Sequence, residues 1–299
     1  MSRNILGMDI GGTYIRAGIV DESNRIVYEK ITGSASVLRH ADECRSLADW
    51  VKALLEESGK EVSAISMGLP AVLNRDRTLV VSAPNVVGLD GQRVNELLEQ
   101  RLGIPAFMEK DACLLLYYDV YQNRIPEDGI LVGLYIGTGI GNAVLINGVP
   151  LVGKNGSACE IGHVPCLDKS GLCSCGNHGC MEVYASGLAL EGLCNRHFPE
   201  TNIRDLFVEH ASDLLIREAI DRLAVPIATE INIFDPDYMI LGGGVLAMKN
   251  FPRKLLEERV FSYVRKPLPA QNLELLYTQP SQNNGIIGAA IYARRQLGW

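Results

Sequence analysis

Met8-Asp9-Ile10-Gly11-Gly12-Thr13, close to the start of the chain, and Leu134-Tyr135-Ile136-Gly137-Thr138-Gly139, near its middle, share one design. In each, an apolar run that reads as a strand ends in a turn of small residues, and a second apolar strand follows, over 14–20 in the first case and 142–146 in the second. Glycines in such turns remove the Cβ that would keep a phosphate away, so bare N–H groups and a threonine hydroxyl are left to face an anion. A single turn of this kind reads equally well as a plain hairpin; its repetition is what points to a phosphate site built twice, in two related lobes.

Working outward from the first turn, strands are expected over 4–10, 14–20 and 25–31, then a helix carried by Cys44, Leu47, Val51, Leu54 and Leu55, then a buried strand over 62–67 ending in Gly68 and Pro70. The second half restarts near Gly129. It continues with a helix over 212–234 that Pro226 should kink or divide, a short strand over 238–241 closed by Gly242, Gly243 and Gly244, and a final helix over 285–296. No low-complexity tether separates the halves, so packed elements are expected to join them.

The 299 residues suffice for two buried cores, and 47% apolar with 21% charged residues is a globular composition. A net charge of −7 gives no electrostatic footprint for nucleic acid or membrane. No apolar run approaches the ~20 residues of a membrane helix, and residues 1–6 show no targeting stretch, so a cytoplasmic location is expected. Eight cysteines in a chain of this size need not be disulfides, and three of them crowd into Cys173-Ser174-Cys175-Gly176-Asn177-His178-Gly179-Cys180. With His163 they supply one imidazole and three thiolates, a closed tetrahedral set suited to structural zinc; Cys166 and His178 are the alternative ligands.

Other nucleotide motifs fail on context. Gly59-Lys60-Glu61 and Gly153-Lys154-Asn155 lack the glycine spacing and the Ser/Thr of a P-loop, and the turn at Gly137 leads into a strand where a dinucleotide fold needs a helix. Asp111, in Met108-Glu109-Lys110-Asp111-Ala112, reads from its surroundings alone as either a surface charge or a functional carboxylate.

These segments resemble the repressor, open reading frame and kinase (ROK) family of sugar kinases within the actin-like ATPase superfamily. Asp9 to Arg16 looks like its first phosphate motif, Gly137 to Gly141 like its second and Leu241-Gly242-Gly243-Gly244 like its adenosine motif, while Glu160-Ile161-Gly162-His163 followed by Cys173 to Glu182 is the most specific match. The resemblance implies an α/β, two-lobe actin-like (ribonuclease H-like) fold with the active site in the interlobe cleft. A smaller lobe over 1–113, completed by the C-terminal helix 286–299, would face a larger lobe over 114–285 that holds the zinc loop and the adenosine site.

It also implies the roles. ATP and Mg²⁺ would be held by Asp9, Gly11, Gly12, Thr13, Gly137, Thr138, Gly139 and the Gly242, Gly243 and Gly244 turn. The sugar would be held by Asn85, Lys110, Glu160, His163 and Glu182, with Asp111 as catalytic base and Zn²⁺ on His163, Cys173, Cys175 and Cys180. Lys110 departs from the asparagine usual in the family, and Ala71 from a common glycine. Within the family the chain is most similar to D-allose kinases, through Lys110-Asp111, Cys175-Gly176-Asn177, Phe234-Asp235-Pro236-Asp237 and Arg265-Lys266-Pro267-Leu268-Pro269.

The expected activity is transfer of phosphate from ATP to the 6-hydroxyl of an aldohexose, D-allose first and glucose or an N-acetylhexosamine as the alternative, in a homodimer. Two rivals are a sugar-responsive regulator, whose relatives carry a DNA-binding module before the sugar domain, and a silent sugar- or zinc-binding protein. The chain starts almost at its first strand and keeps Asp111, which favours the kinase.

Overall fold

The computed structural model describes residues 3–38, 43–167, 169–279 and 281–299. Met1 and Ser2 at the chain entry, and the side chain of Cys44 in the expected helical pattern, lie outside the described residues. In chain order the first elements are β1 (Ile5–Ile10), β2 (Tyr14–Val20), β3 (Ile26–Gly33), α1 (Ser34–Val37), α2 (Glu43–Ser58), β4 (Ala64–Leu69), β5 (Val72–Leu73), β6 (Val80–Ser82), α3 (Val94–Leu102), β7 (Ala106–Lys110) and α4 (Asp111–Asn123). Then come β8 (Ile130–Ile136), β9 (Ile140–Ile146), β10 (Val149–Pro150), α5 (Gly187–His197), α6 (Leu206–Glu209), α7 (Leu214–Phe234), β11 (Tyr238–Gly242), α8 (Arg253–Tyr263), β12 (Leu275–Tyr277) and α9 (Asn284–Leu297).

The chain divides into two compact units, one of Met1–Ile125, Val152–Ala158 and Ser281–Trp299, the other of Pro126–Leu151 and Cys159–Pro280. The first unit holds a sheet of order β3-β2-β1-β4-β7 and the second a sheet of order β10-β9-β8-β11-β12. In both, the two leading pairs are antiparallel and the two following pairs parallel. The six-residue echo in sequence is therefore a repeat of whole sheets, with β1 corresponding to β8. The register repeats as well: Asp9 of β1 lies level with Gly68 of β4, as Tyr135 of β8 lies level with Gly242 of β11.

Sequence pattern explains the layers. β4 is buried along its whole length and β1 at all but Asp9, so both read as continuous apolar runs, while β3, at a sheet edge, alternates between half-buried and exposed residues. Leu47, Val51 and Leu54 of α2 are buried in a core with Met8, Ile10, Met67 and Met108. α9 closes the other face of the first unit, where Ile286, Ala290 and Ala293 pack with Ile5, Val20 and Ala64.

Three expected boundaries move. The first unit extends to Ile125, beyond the expected 113, because α4 packs on α9, with the Tyr117 and Tyr292 rings 6.0 Å apart; the two units are consequently near equal in length. β9 begins at Ile140, since its pairing with β8 continues to Ile136↔Ile140 at the turn itself. The strand expected over 62–67 runs from Ala64 to Leu69, carried on by parallel pairing with β7 as far as Leu69↔Lys110.

Pro226 does not divide α7, which runs unbroken from Leu214 to Phe234. A proline within a helix costs about 3 kcal/mol, whereas each large apolar side chain fully buried contributes roughly 1.5–3 kcal/mol. Ile216, Ile220, Leu223, Ile227 and Ile231 line one buried face on both sides of the proline and outweigh it. Among the described residues no helix is long and apolar enough to cross a membrane.

Candidate active site

In the first unit, β1 delivers Asp9 to the end of the sheet where the chain turns through Gly11, Gly12 and Thr13, and the Gly11 N–H donates to the Tyr14 carbonyl at 3.0 Å. A Cβ on Gly12 would stand 2.3 Å from the carbonyl oxygen of Asn85, so only glycine lets the loop bearing Asn85 touch this turn. Gly12, Thr13 and Asn85 are exposed there. The structure thus brings the first turn and Asn85 together.

Asp111 is the first residue of α4 and Lys110 the last of β7. The Asp111 carboxylate accepts the Ala112 N–H at 2.8 Å, and Lys110 Nζ donates to the Ala158 carbonyl at 3.3 Å. Burial, and after it the charge of Asp111, raise the Asp9 carboxyl to about 6, against the opposing pull of Arg16, whose Nη1 lies 3.5 Å from Asp9 Oδ2. Two carboxylates that repel one another beside a glycine turn suit a hard divalent cation and an incoming hydroxyl.

This strain has a measurable consequence. The native Asp9 carboxyl holds its proton up to about pH 6, whereas the unfolded one releases it near its ordinary 3.8. Stability is accordingly lost as pH rises through that window, and the loss is complete above it. Asp9→Asn is expected to melt about 2–4 °C above the wild type at pH 8 in magnesium-free buffer, with the gain shrinking at pH 5, although activity is lost. Equal melting midpoints at pH 8 would show that Asp9 is not strained.

In the second unit, the turn after β8 is closed by Gly137 N–H donating to the Gly139 carbonyl at 3.0 Å, and the start of α5 docks on it, Gly187 N–H reaching the Gly137 carbonyl at 2.8 Å and Leu188 N–H the Thr138 carbonyl at 3.2 Å. After β11, Gly243 has a φ of 97° and a Cβ there would lie 2.4 Å from the Ile136 carbonyl oxygen, so the Gly242 to Gly244 turn folds directly over the end of β8. Gly137 and Gly244 both face open space where a side chain would be. The second turn and the expected adenosine turn are in this way one surface.

Glu182 joins that surface to the cysteine loop: one of its oxygens accepts the Ile140 N–H at 3.2 Å, and the other lies 3.8 Å from Cys173 Sγ. His163 and Cys173, Cys175 and Cys180 bring their ligand atoms within 4.8 Å of one another, with Cys173 Sγ 3.6 Å from His163 Nδ1 and Cys175 Sγ 3.7 Å from Cys180 Sγ. Tetrahedral zinc with bonds of about 2.3 Å to sulfur and about 2.0 Å to nitrogen has edges of roughly 3.5–3.8 Å, so these spacings fit. Burial first and the neighbouring thiols next push the Cys180 thiol well up, so without a cation it stays protonated. Cys166 contacts Met181 and His178 contacts the Ser170 carbonyl, and neither joins the four. His163 Nε2, on the side of the ring away from Cys173, lies 3.8 Å from Glu160.

A profile of the ROK family matches residues 5–296. The chain belongs to the ROK family. It is 28% identical to a glucokinase of Thermotoga maritima across 98% of both chains, and 29% identical to an N-acetyl-D-glucosamine kinase of Escherichia coli O157:H7 across 82% of this chain and 84% of that one. Its structure superposes with a TM-score of 0.78 on a ROK family glucokinase from Streptomyces griseus in complex with glucose and AMPPNP, at 26% identity, covering 98% of this chain and 99% of the other. The fold is accordingly the actin-like one of ROK proteins.

Some residues of this site carried no signal in sequence. The start of α5, which supports the second phosphate turn, lies some fifty residues beyond it, and Arg77 meets Glu109 across 32 positions. Glu109 adjoins Lys110, yet an acidic residue in a strand says nothing of its partner until the fold is known.

Proposed function

We propose that this protein transfers the γ-phosphoryl group of ATP to the 6-hydroxyl of an aldohexose, with D-allose preferred. The observation that carries the proposal is the pair Asp9 and Asp111, two mutually repelling carboxylates beside the Gly11 to Thr13 turn, in a chain of the ROK family whose relatives are named as glucokinase and N-acetyl-D-glucosamine kinase. Asp111 accepts the proton of the 6-hydroxyl as that oxygen attacks. The N–H groups of the Gly11 to Thr13 and Gly137 to Gly139 turns hold the phosphate oxygens, and the Gly242 to Gly244 turn lies beside the adenosine. Asn85, Lys110, Glu160, His163 and Glu182 orient the sugar. Asp9 would hold Mg²⁺, which would supply neutralisation of charge at the transferred phosphoryl group. His163, Cys173, Cys175 and Cys180 would hold Zn²⁺, which would supply a fixed support for Glu160 and Glu182.

The preference for allose rests on Lys110. A lysine only donates hydrogen bonds, where the usual asparagine both donates and accepts, so a sugar hydroxyl at this position must meet it as an acceptor. Coupled detection of ADP with D-allose, D-glucose and N-acetyl-D-glucosamine is expected to give a kcat/KM for allose at least about tenfold above glucose, ~1.4 kcal/mol of transition-state preference. Lys110→Asn should narrow the gap. Glucose as best substrate, which the names of the Thermotoga and Streptomyces relatives favour, would end the allose assignment and leave the kinase.

A further inference from the structure

The corner between β7 and α4, where Lys110 gives way to Asp111, is held by a buried ion pair that the reaction above leaves unused. Glu109 is 1% exposed, and Arg77 Nε donates to its Oε2 at 2.9 Å and lies 2.8 Å from its Oε1. Glu109 Oε1 also accepts the backbone N–H of Lys110 at 2.8 Å, which fixes the Glu109–Lys110 peptide at the corner leading into Asp111. Arg77 Nη1 donates in turn to the carbonyls of Asn74 at 3.2 Å and Gly156 at 3.0 Å.

Everything around the pair is built to present it. Arg77 sits in the left-handed region with φ 55°, in a turn where Asn74 Oδ1 accepts the N–H groups of Thr78 at 2.8 Å and Leu79 at 2.9 Å. The segment Val152–Ala158 comes so close to this turn that a Cβ on Gly156 would lie 2.2 Å from the Leu73 carbonyl oxygen, and its Ala158 carbonyl receives the Lys110 ammonium. Two charges taken out of water are poorly repaid by their mutual attraction, so stability alone is a weak reason to bury them. What the pair does achieve is geometric: it locks the turn, the corner at Lys110 and the 152–158 segment to one another.

We propose that Arg77 and Glu109 are positioning residues for Asp111 and Lys110, holding the base and the sugar-facing lysine in register for attack. Their role rests on the kinase activity proposed above and goes beyond it, since neither residue is among those assigned there to substrate. Placement errors of an ångström at a reacting group cost turnover far more than binding, so the signature is a fall in kcat without loss of fold or of ATP affinity.

The test compares wild type, Glu109→Gln and the double variant Arg77→Met/Glu109→Leu, by thermal midpoint and by steady-state kinetics with ATP and the best hexose of the panel. Glu109→Gln keeps the shape and an acceptor for the Lys110 N–H but removes the charge that Arg77 meets. Apolar replacement of a buried pair often preserves stability, and the double variant removes the clamp altogether. Expected are midpoints within a few degrees of wild type, kcat lowered about tenfold or more in both variants and KM for ATP within about threefold. A purely structural pair predicts instead that activity follows the folded fraction. Either variant folded and turning over within about twofold of wild type overturns the positioning role, and Glu109→Gln alone decides should the double variant fail to fold. Wild-type protein that phosphorylates no hexose overturns the kinase activity and this role with it; active wild type with unaffected variants overturns the positioning role only.

Discussion

Asp111→Asn is expected to lower turnover by about 10²-fold or more while sugar binding stays within about tenfold. The substitution is nearly isosteric, and the amide oxygen can still accept the Ala112 N–H that Asp111 accepts now, so the start of α4 should not change. What is lost is the capacity to take a proton from the attacking hydroxyl. Asp9 does not stand in, because the proposed mechanism commits it to the phosphate side. Sugar affinity measured by calorimetry, beside kcat from the ADP-coupled assay, separates the two effects. Near-normal turnover in this variant would remove Asp111 from the reaction.

The second large effect concerns the cysteine loop. The protein as purified is expected to hold about one equivalent of zinc, and a strong chelator should lower the melting midpoint by on the order of 10 °C, because a metal that binds the native state alone adds directly to its stability. Removal leaves three sulfurs and an imidazole within 4.8 Å without the bonds that tie them together, in a loop whose remaining links are backbone hydrogen bonds such as Cys173 N–H to Asn177 and Cys166 N–H to Gly179. Cys175→Ser should abolish zinc retention. Cys166→Ser should not, since Cys166 contacts Met181 and stands outside the four. Metal-free protein that melts unchanged would dismiss the structural role. Sugar affinity should fall together with zinc, because Glu182 spans from Cys173 to the turn at Ile140.

How far the sequence reaches can be judged residue by residue. Both glycine turns and the cysteine part of the Cys/His quartet were legible because each is encoded locally: a turn needs small residues in a row, and Cys173, Cys175 and Cys180 lie within eight positions. His163 was found only through its neighbourhood with Glu160. The repeat of sheets was visible at six residues and no further, since β4 and β7 match β11 and β12 in order and direction but not in sequence or spacing. The boundary at 113 missed because the partner of α4 is α9, which lies some 170 residues beyond it, and hydrophobic periodicity names a buried face without naming what covers it. Pro226 was expected to kink or divide its helix, and tertiary burial of α7 carries the helix through it undivided. Arg77 and Glu109 could not be paired at all without the fold.

The first unit is assembled from three stretches of chain, and its sheet is covered on one face by α9. On the ribosome, β1 and β4 therefore emerge long before the helix that buries Ile5, Val20 and Ala64. The second unit, drawn from 126–151 and 159–280, can be completed while the first still shows apolar surface. During that interval the nascent protein must be shielded from aggregation or fold fast enough at its end to escape it. Docking of α9 also brings Gly285 against Asp9, so the helix that covers the apolar face of the sheet is the one that finishes the surroundings of Asp9.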